Sequence, residues 1–536
     1  VVPETDNTRS VNSDSSQKKF PAKNPPLSLK ARFSKTLSNL TNKISVKDTN
    51  EEEEENEIIV EKQKFKTKTV NIGWDCSVTA EQFNSEQNVF DSDLFHIFLS
   101  NEKIFVIKDI PKLSLAEKGL YSEVFDYIKD LPLLNIEEDT KRYFRQYCEQ
   151  NNLLIDKEQA DYIINMLLYE VTGFGPLTTI LQDKDNLEEI AIVGLGKENP
   201  VYVYLAKQGW LKTNVFFTDE DYVRELINRM SRVIGRRVTL NQPLMNASLP
   251  DGSRLNAIIP PISNTHPIAT LRRFRYNPLT PLDLIEFGTM SKEIAAFLWL
   301  TMHTDANILI VGNTGSGKTT TLNALFSFVP KDERIIVVEE TPEVNIPHQH
   351  KVRLRTDVNL DINMNELIKS TLRMRPDRLI VGEIRDAEEV HSFLDTILAG
   401  QGKGSFATFH GLSNQDAIQR LLKLGMLEQD LNALDLIIVQ RRWTVYDMKT
   451  NTKQEIRKII NISEIINNSL VDIFSYDYNQ NKWKFNKTER MKNKIEIAFG
   501  QKFWDVYDIM NSKIDLLCKE NKKQHFSLND FFEKVG

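Results

Sequence analysis

The chain has 536 residues, 40% of them hydrophobic and 27% charged, with a formal net charge of −7 at pH 7. That length exceeds one compact domain, and the composition is that of a soluble chain able to bury real cores. The acidic balance argues against a surface that tracks nucleic acid along its whole length, so no nucleic acid is expected as a partner.

Three cysteines, Cys76, Cys148 and Cys518, lie far apart with no C-x-x-C pair. This spacing excludes a thiolate zinc site and a disulfide framework and suits a reducing compartment. No apolar run approaches the ~18 residues needed to span a bilayer. The chain opens on Val1 and shows no charged-then-apolar secretory start. A cytoplasmic location is therefore expected.

In chain order, residues 1–60 read as a disordered tail. Ser, Asn, Lys and Pro dominate, and the acidic run Glu51 to Glu55 closes the stretch. Such a segment buries too little apolar surface to offset its chain entropy. Over 1–50 it carries nine Lys/Arg against four acids, so contact with anionic lipid or an acidic partner stands beside the plainer reading of a solvated tail. Residues 65–150 form an extension of unknown role, with a strand expected over 104–107 and a helix over 117–129.

Residues 151–277 read as an α+β domain. Val201 to Leu205, a turn at Gly209, and Val215 to Phe217 predict antiparallel strands. Thr218 is the expected N-cap of a helix whose apolar face is Val223, Leu226, Ile227, Met230, Val233 and Ile234, with Gly235 ending it. A strand–turn segment follows through Pro250-Asp251-Gly252-Ser253. Over 278–440 short apolar strands at 307–311, 335–338, 379–381 and 436–439 alternate with helical patterns. That alternation predicts a mostly parallel sheet covered on both faces. Residues 441–536, Asn- and Lys-rich, read as an appendage with a helix near Trp504 to Met510.

The strongest chemical signal is Gly312-Asn313-Thr314-Gly315-Ser316-Gly317-Lys318-Thr319, which matches G-x-x-x-x-G-K-[ST]. Its glycines allow consecutive N–H groups to curl around phosphates, and a helix starting through Thr320 adds a favourable dipole. Lys318 would reach terminal phosphates, and Thr319 would ligate Mg²⁺. The strand before it and the helix after it meet the context the motif requires. Leu379-Ile380-Val381-Gly382-Glu383 is a strand ending in an acid, where Glu383 would polarise a water or hold Mg²⁺ through water. Glu339, Glu340 and Glu343 crowd three carboxylates that repel unless a cation or donors offset them, so either a metal-and-water site or an exposed acidic turn is expected. His410 ends a small-residue strand and could bond a γ-phosphate or relay nucleotide state to the sheet. His348 and His350 have a metal-like spacing but no third ligand, so a surface turn is expected there.

Taken in order, these motifs resemble the secretion ATPase superfamily that drives type II and type IV secretion, type IV pili and the archaeal flagellum. The acids at 339–343 resemble its Asp box, Glu383 its Walker B acid and His410 its His box. Gly173-Phe174-Gly175-Pro176-Leu177, Leu249 to Leu255, Leu271-Arg272-Arg273-Phe274 and Pro281 to Ile285 extend the resemblance upstream. Gly209 to Asn214 and Ala295 to Leu300 are most similar to the archaeal pilus and archaellum branch, close to tight-adherence pilus ATPases. Glu340 stands where the family usually has Asp, Gly411 follows the box histidine, and the four-cysteine element of type II members is absent.

The resemblance implies an α/β fold: a RecA-like P-loop NTPase domain with a mostly parallel sheet, preceded by an α+β N-terminal domain. It implies ATP and Mg²⁺ as ligands and a homo-hexamer, peripheral at the inner face of the membrane. The expected partners are a polytopic platform protein and, indirectly, pilin-like or secreted substrates. It also implies that Arg254, Arg272 and Arg273 serve the nucleotide site when the domains close, since phosphoryl transfer needs added positive charge. Two other readings remain at this stage: a nucleic-acid-translocating RecA-like ATPase, and a nucleotide-sensing scaffold without turnover.

Overall fold

The computed structural model describes residues 72–535 except 79–81, 84–87, 92–94, 100–102, 108–112, 130, 133–134, 156, 184–185, 206–207, 274–276, 358–359, 401 and 449–451. The tail expected over 1–60 lies outside the described residues.

The N-terminal part contains β1 (Trp74–Cys76), β2 (Asn88–Asp91), β3 (Phe95–Leu99), β4 (Lys103–Ile107), β5 (Leu187–Ile192), β6 (Tyr202–Leu205), β7 (Gly209–Thr213), β8 (Val215–Phe217), β9 (Leu244–Ser248), β10 (Arg254–Ile258) and β11 (Ile268–Arg272). Nine of these make one sheet in the order β2-β3-β4-β7-β6-β5-β11-β10-β9, while β1 pairs with β8. All pairings are antiparallel except β4 with β7, which runs parallel from Ile104 opposite Lys212. The extension expected over 65–150 is therefore not a separate body, because its strands complete the sheet of the following domain. One hydrophobic cluster, from Ile72 to Leu271, serves both.

Asn214 is the polar fastener of this junction. It is fully buried. Its Oδ1 accepts from the Ile107 N–H at 3.1 Å, its Nδ2 donates to the Val78 carbonyl at 3.0 Å, and its backbone N–H donates to the Phe105 carbonyl at 3.1 Å. The helix Glu220–Ser231 packs beneath with Val223, Leu226, Ile227 and Met230 buried, as the spacing predicts, but Val233 and Ile234 lie past its end in a 3-10 turn and Val233 is exposed. Its N-cap is Asp219 and not Thr218. The Thr218 N–H donates to the Gly73 carbonyl at 2.9 Å, which keeps it in the β1–β8 pairing, so the helix starts one residue later with Asp219 accepting from Tyr222. Gly235 ends the segment at φ 68°, where a residue without Cβ is favoured.

The second part contains β12 (Ile308–Gly312), β13 (Ile335–Glu339), β14 (Lys351–Arg355), β15 (Arg378–Ile384), β16 (Ser405–His410), β17 (Leu436–Asp447), β18 (Thr452–Ile466), β19 (Ser469–Asp477) and β20 (Lys482–Phe485). Their order is β14-β13-β15-β16-β12-β17-β18-β19-β20. The run from β14 to β17 is parallel, and β18 to β20 are added antiparallel. The period of two along each strand divides its side chains between faces. Ile308 and Ile310 enter one cluster with the helix Lys292–Thr301, whereas Leu309 and Val311 enter another with the helix Ala387–Leu398. Burial on both faces explains why these strands are continuously apolar.

Residues 441–536 are not an appendage. They supply most of β17, all of β18 to β20, and helices Arg490–Phe499, Phe503–Asn521 and Leu528–Val535. Phe503, Val506, Tyr507, Ile514, Leu517 and Phe531 fill the same core as β12. Half-exposed antiparallel strands alternate polar with apolar residues, and that pattern is weak in an Asn- and Lys-rich stretch. His348 is likewise not at the surface. It is fully buried, with its ring 4.6 Å from that of Phe532 and its Nε2 3.2 Å from the Pro330 carbonyl, while His350 is exposed.

Replacing Asn214 by Ala strands the buried Ile107 N–H and removes the donor to the half-buried Val78 carbonyl. A loss of roughly 1–3 kcal/mol is expected for the one buried group left unsatisfied. Urea unfolding followed by circular dichroism measures it, and a change below about 0.5 kcal/mol would show that the junction is not held by this side chain.

Candidate active site

β12 ends at Gly312, and the loop that follows feeds the helix Lys318–Leu325. Gly315 and Gly317 have φ of 70° and 94°, so the loop needs residues without Cβ there. At Gly312 a Cβ would run into the Gln440 carbonyl and Ser316 Oγ. Three residues of β17 and β18, two through side chains and one through its backbone, shape the arch. Asn313 exchanges hydrogen bonds with the backbone of Arg442, both at 2.9 Å. Arg457 Nε donates to the Gly315 carbonyl at 3.0 Å, and Gln440 Nε2 donates to the Ser316 carbonyl at 2.7 Å. The C=O and N–H of a trans peptide point in opposite directions. Tying the Ser316 carbonyl to Gln440 therefore turns the Gly317 N–H the other way.

No side chain caps the helix that starts at Lys318, leaving its first N–H groups as an anion site. Lys318 is buried, its Nζ donating to the Gly312 carbonyl at 3.3 Å. Burial pulls the pKa of its ammonium down, while Glu383 and Glu343 oppose that shift. Ser316 Oγ is buried without a hydrogen-bond partner among the described residues. A bound phosphate would satisfy this cradle's orphaned donors and its desolvated cation together.

The acids divide into distinct roles. Glu343 accepts from Thr319 Oγ1 at 3.0 Å and pairs with Arg254 Nη2 at 2.9 Å. Glu383, near the end of β15, pairs with His410 Nε2 at 2.8 Å and with Arg385 Nη2 at 2.8 Å. Glu339 is buried and accepts the N–H groups of Glu343 and Val344, both at 2.7 Å. Burial raises the Glu339 pKa against those bonds and Arg353. Glu339 therefore folds the acidic loop, and the absent Cβ of Gly382 leaves it room. Glu340 is exposed and pairs with Arg385. Asn323, on the P-loop helix, fastens the same acidic loop by accepting from the Asn345 N–H at 2.9 Å and donating to the Glu343 carbonyl at 3.3 Å.

The opposite wall comes from the N-terminal sheet. Arg254 opens β10 and Arg272 closes β11, and the two are direct cross-strand partners. Burial lowers the Arg254 pKa, Glu343 opposes this, and Arg272 adds to the lowering. Arg273 also borders the cavity, but its Nη1 donates to the carbonyls of Leu181 at 2.6 Å and Asp183 at 3.0 Å. Its guanidinium is therefore engaged by its own domain. The cavity between these walls measures 370 Å³ and is lined by Thr314 to Thr320, Glu339, Glu340, Glu343, Glu383, His410, Arg254 and Arg272.

A family model described as type II/IV secretion system protein matches residues 186–477, more than half of the chain. The chain belongs to the type II/IV secretion system protein family. An uncharacterised protein of Methanocaldococcus jannaschii is 35% identical over 311 residues, covering 55% of this chain and 42% of that protein. A second from the same organism is 35% identical over 286 residues, covering 52% and 50%. The chain thus spans about half the length of these first curated relatives. The type IV secretion system protein VirB11 of Bartonella henselae is 26% identical over 325 residues, covering 51% of this chain and 89% of that protein. Among solved structures, the pilus retraction motor PilT with bound ADP is 19% identical, with a TM-score of 0.39 over 66% of this chain and 95% of that chain.

The motif resemblance thus holds at the level of the secretion family. Within this member, Arg385, Asn323, Gln440, Arg442 and Arg457 were not singled out from sequence. Arg385 lies two residues past Glu383 and follows from strand-end charge pairing. The other four carry no local signal, because their partners are distant in the chain.

His410 sits beside Glu383, but burial first and then Lys318 lower its pKa below the ordinary 6.5, so the ring is neutral at pH 7. A histidine with a depressed folded pKa gives stability that is present above about 6.5 and is lost as pH falls through that window toward the folded pKa. NMR of ring-labelled histidine, assigned by His410→Gln, should show a midpoint below 6.5, and Glu383→Gln should lower it further. A midpoint above 6.5 would mean that the Glu383 carboxylate dominates.

Proposed function

We propose that this chain is an ATP-hydrolysing motor subunit that powers assembly of a type IV pilus-like or archaellum filament, or a related protein secretion machine. The observation that carries this reading is the meeting, in one cavity, of Lys318 and Thr319 with Glu383 of β15, Glu343 of the loop after β13, and Arg254 of the N-terminal sheet. The P-loop amides and Lys318 hold the β- and γ-phosphates, and Glu383 with neutral His410 orients the attacking water. Thr319 with Glu343 and Glu383 would hold Mg²⁺, which neutralises charge on the phosphates. A hydroxyl beside carboxylates fits that hard cation, which keeps waters and takes few protein ligands.

Arg254 gives the motor its coupling. It pairs with Glu343 across the cavity; a γ-phosphate is a stronger anion for the same guanidinium, so hydrolysis would change what the N-terminal domain holds. The assembled form is a homo-hexamer, peripheral at the cytoplasmic face of the membrane and bound to a polytopic platform protein. Filament or secreted subunits are moved indirectly, and no nucleic acid is a substrate. Among the described residues no helix is long and apolar enough to cross a membrane.

Phosphate release by the purified chain tests the reading directly. The native chain should hydrolyse ATP with Mg²⁺, and Lys318→Ala should abolish turnover and weaken nucleotide binding. Equal turnover by both would remove the proposed active site.

Two further variants separate roles. Glu383→Gln should bind ATP yet turn over at least ~100-fold slower, the order expected for losing an organised base. Arg254→Ala should slow hydrolysis by roughly 10³-fold in assembled rings while binding ATP far less affected, and Arg254→Lys should rescue poorly because the planar fork is lost. Normal hydrolysis by Arg254→Ala rings would end the domain-coupling mechanism.

A further inference from the structure

Beside the P-loop lies a charge cluster that the phosphate chemistry does not use. Arg442 on β17 and Arg457 on β18 are direct cross-strand partners. Two like charges so placed repel. One carboxylate lies between them. Glu455, two residues before Arg457 and so on the same face of β18, pairs with Arg442 Nε at 3.0 Å and with Arg457 Nη2 at 2.7 Å.

Both arginines grip the arch itself. Arg457 Nε holds the Gly315 carbonyl, and that peptide's N–H, on Ser316, turns back to the Asn313 carbonyl at 3.1 Å. The Arg442 guanidinium lies so close to Gly315 that a Cβ there would collide with it, and its backbone is locked to Asn313. The cluster's fourth member comes from the other sheet. Tyr204 on β6, nearly buried and edge-on to Trp210, donates its hydroxyl to Glu455 Oε1 at 2.7 Å, and Arg457 Nη2 donates to that hydroxyl at 3.3 Å.

We infer that Glu455 is a positioning residue for the nucleotide: it holds Arg442 and Arg457 against the Asn313–Gly315 arch, and Tyr204 of the N-terminal sheet supports it there. The inference rests on the proposed nucleotide function and assigns that site a second link between the two sheets, independent of Arg254. Each partner has one task. The arginines fix the loop from outside, Glu455 cancels their repulsion, and the phenol keeps the carboxylate between them. With Glu455 neutralised, the guanidiniums part and the arch loses the shape in which its N–H groups converge on phosphate.

The test uses the full chain with Glu455→Gln, Tyr204→Phe and the double variant. It reads the Kd for a fluorescent ADP analogue together with KM and kcat for ATP. Glu455→Gln should raise Kd and KM roughly tenfold while kcat stays within about threefold, as expected for losing charge-assisted bonds in the ground state. Tyr204→Phe should shift them the same way by about threefold. The double variant should be no worse than Glu455→Gln alone, because the phenol acts through the carboxylate.

Three results would overturn the inference: Kd and KM within twofold of the native chain whatever happens to the melting temperature, a tighter Kd, or fully additive losses. A tighter Kd would mean that Glu455 competes with phosphate for the arginines. If the native chain neither binds the analogue nor hydrolyses ATP, the proposed function fails separately. The brace is then read from amide hydrogen exchange at 313–317, which Glu455→Gln accelerates if the brace exists and leaves unchanged if it does not.

Discussion

Parallel pairing of β12 between β16 and β17 brings three chain segments to a common edge. Gly312 stands opposite both His410 and Gln440 in register. β13 and β15 run the same way, so Glu339 and Glu383 reach that edge as well. In an open parallel sheet the carboxyl ends of the strands form the crevice where ligands bind. Here that geometry alone assembles the phosphate cradle, the buried acid and the histidine. Apolar side chains on both faces pack these strands into two cores, one on each side of the sheet.

The edge is electrostatically tense, and the tension is distributed through pairs. Lys318 and Arg254 both lose pKa to burial, and carboxylates oppose each loss. Glu343 serves two masters, Thr319 on the P-loop and Arg254 on the N-terminal sheet. Glu383 is shared between His410 and Arg385. The Arg254–Glu343 pair ties the N-terminal sheet to the acidic loop that follows β13.

Two links cross between the sheets at this place, and they differ in kind. Arg254 to Glu343 enters the cavity where phosphate would lie. Tyr204 to Glu455 approaches the same loop from its outer side, through side chains that brace the backbone. The residues that carry the brace, Arg442, Glu455 and Arg457, belong to the stretch read from sequence as an appendage. The helices of that stretch close the core beneath β12, so the C-terminal residues both stabilise the nucleotide sheet and shape its loop.

The sequence by itself determined the P-loop, the strand before it and the helix after it, because G-x-x-x-x-G-K-[ST] is contiguous and each residue acts through its own backbone or neighbour. It also determined the four central strands, whose continuous apolar runs reflect burial on two faces. Glu383, Glu343 and Arg254 were legible as charged residues, and His410 as a histidine, at strand ends or turns. Their partners were not. That Glu339 folds the acidic loop, that Arg273 turns to Leu181 while Arg272 lines the cavity, and that His348 is buried depended on which chain segments pack there. The extension over 65–150 was given no role, and 441–536 was read as an appendage, for the same reason. Strand pairing between β4 and β7, or between β17 and β18, is a hydrogen-bond match across space. Alternating half-polar strands carry no local pattern strong enough to announce such a match, so only the tertiary structure decided it.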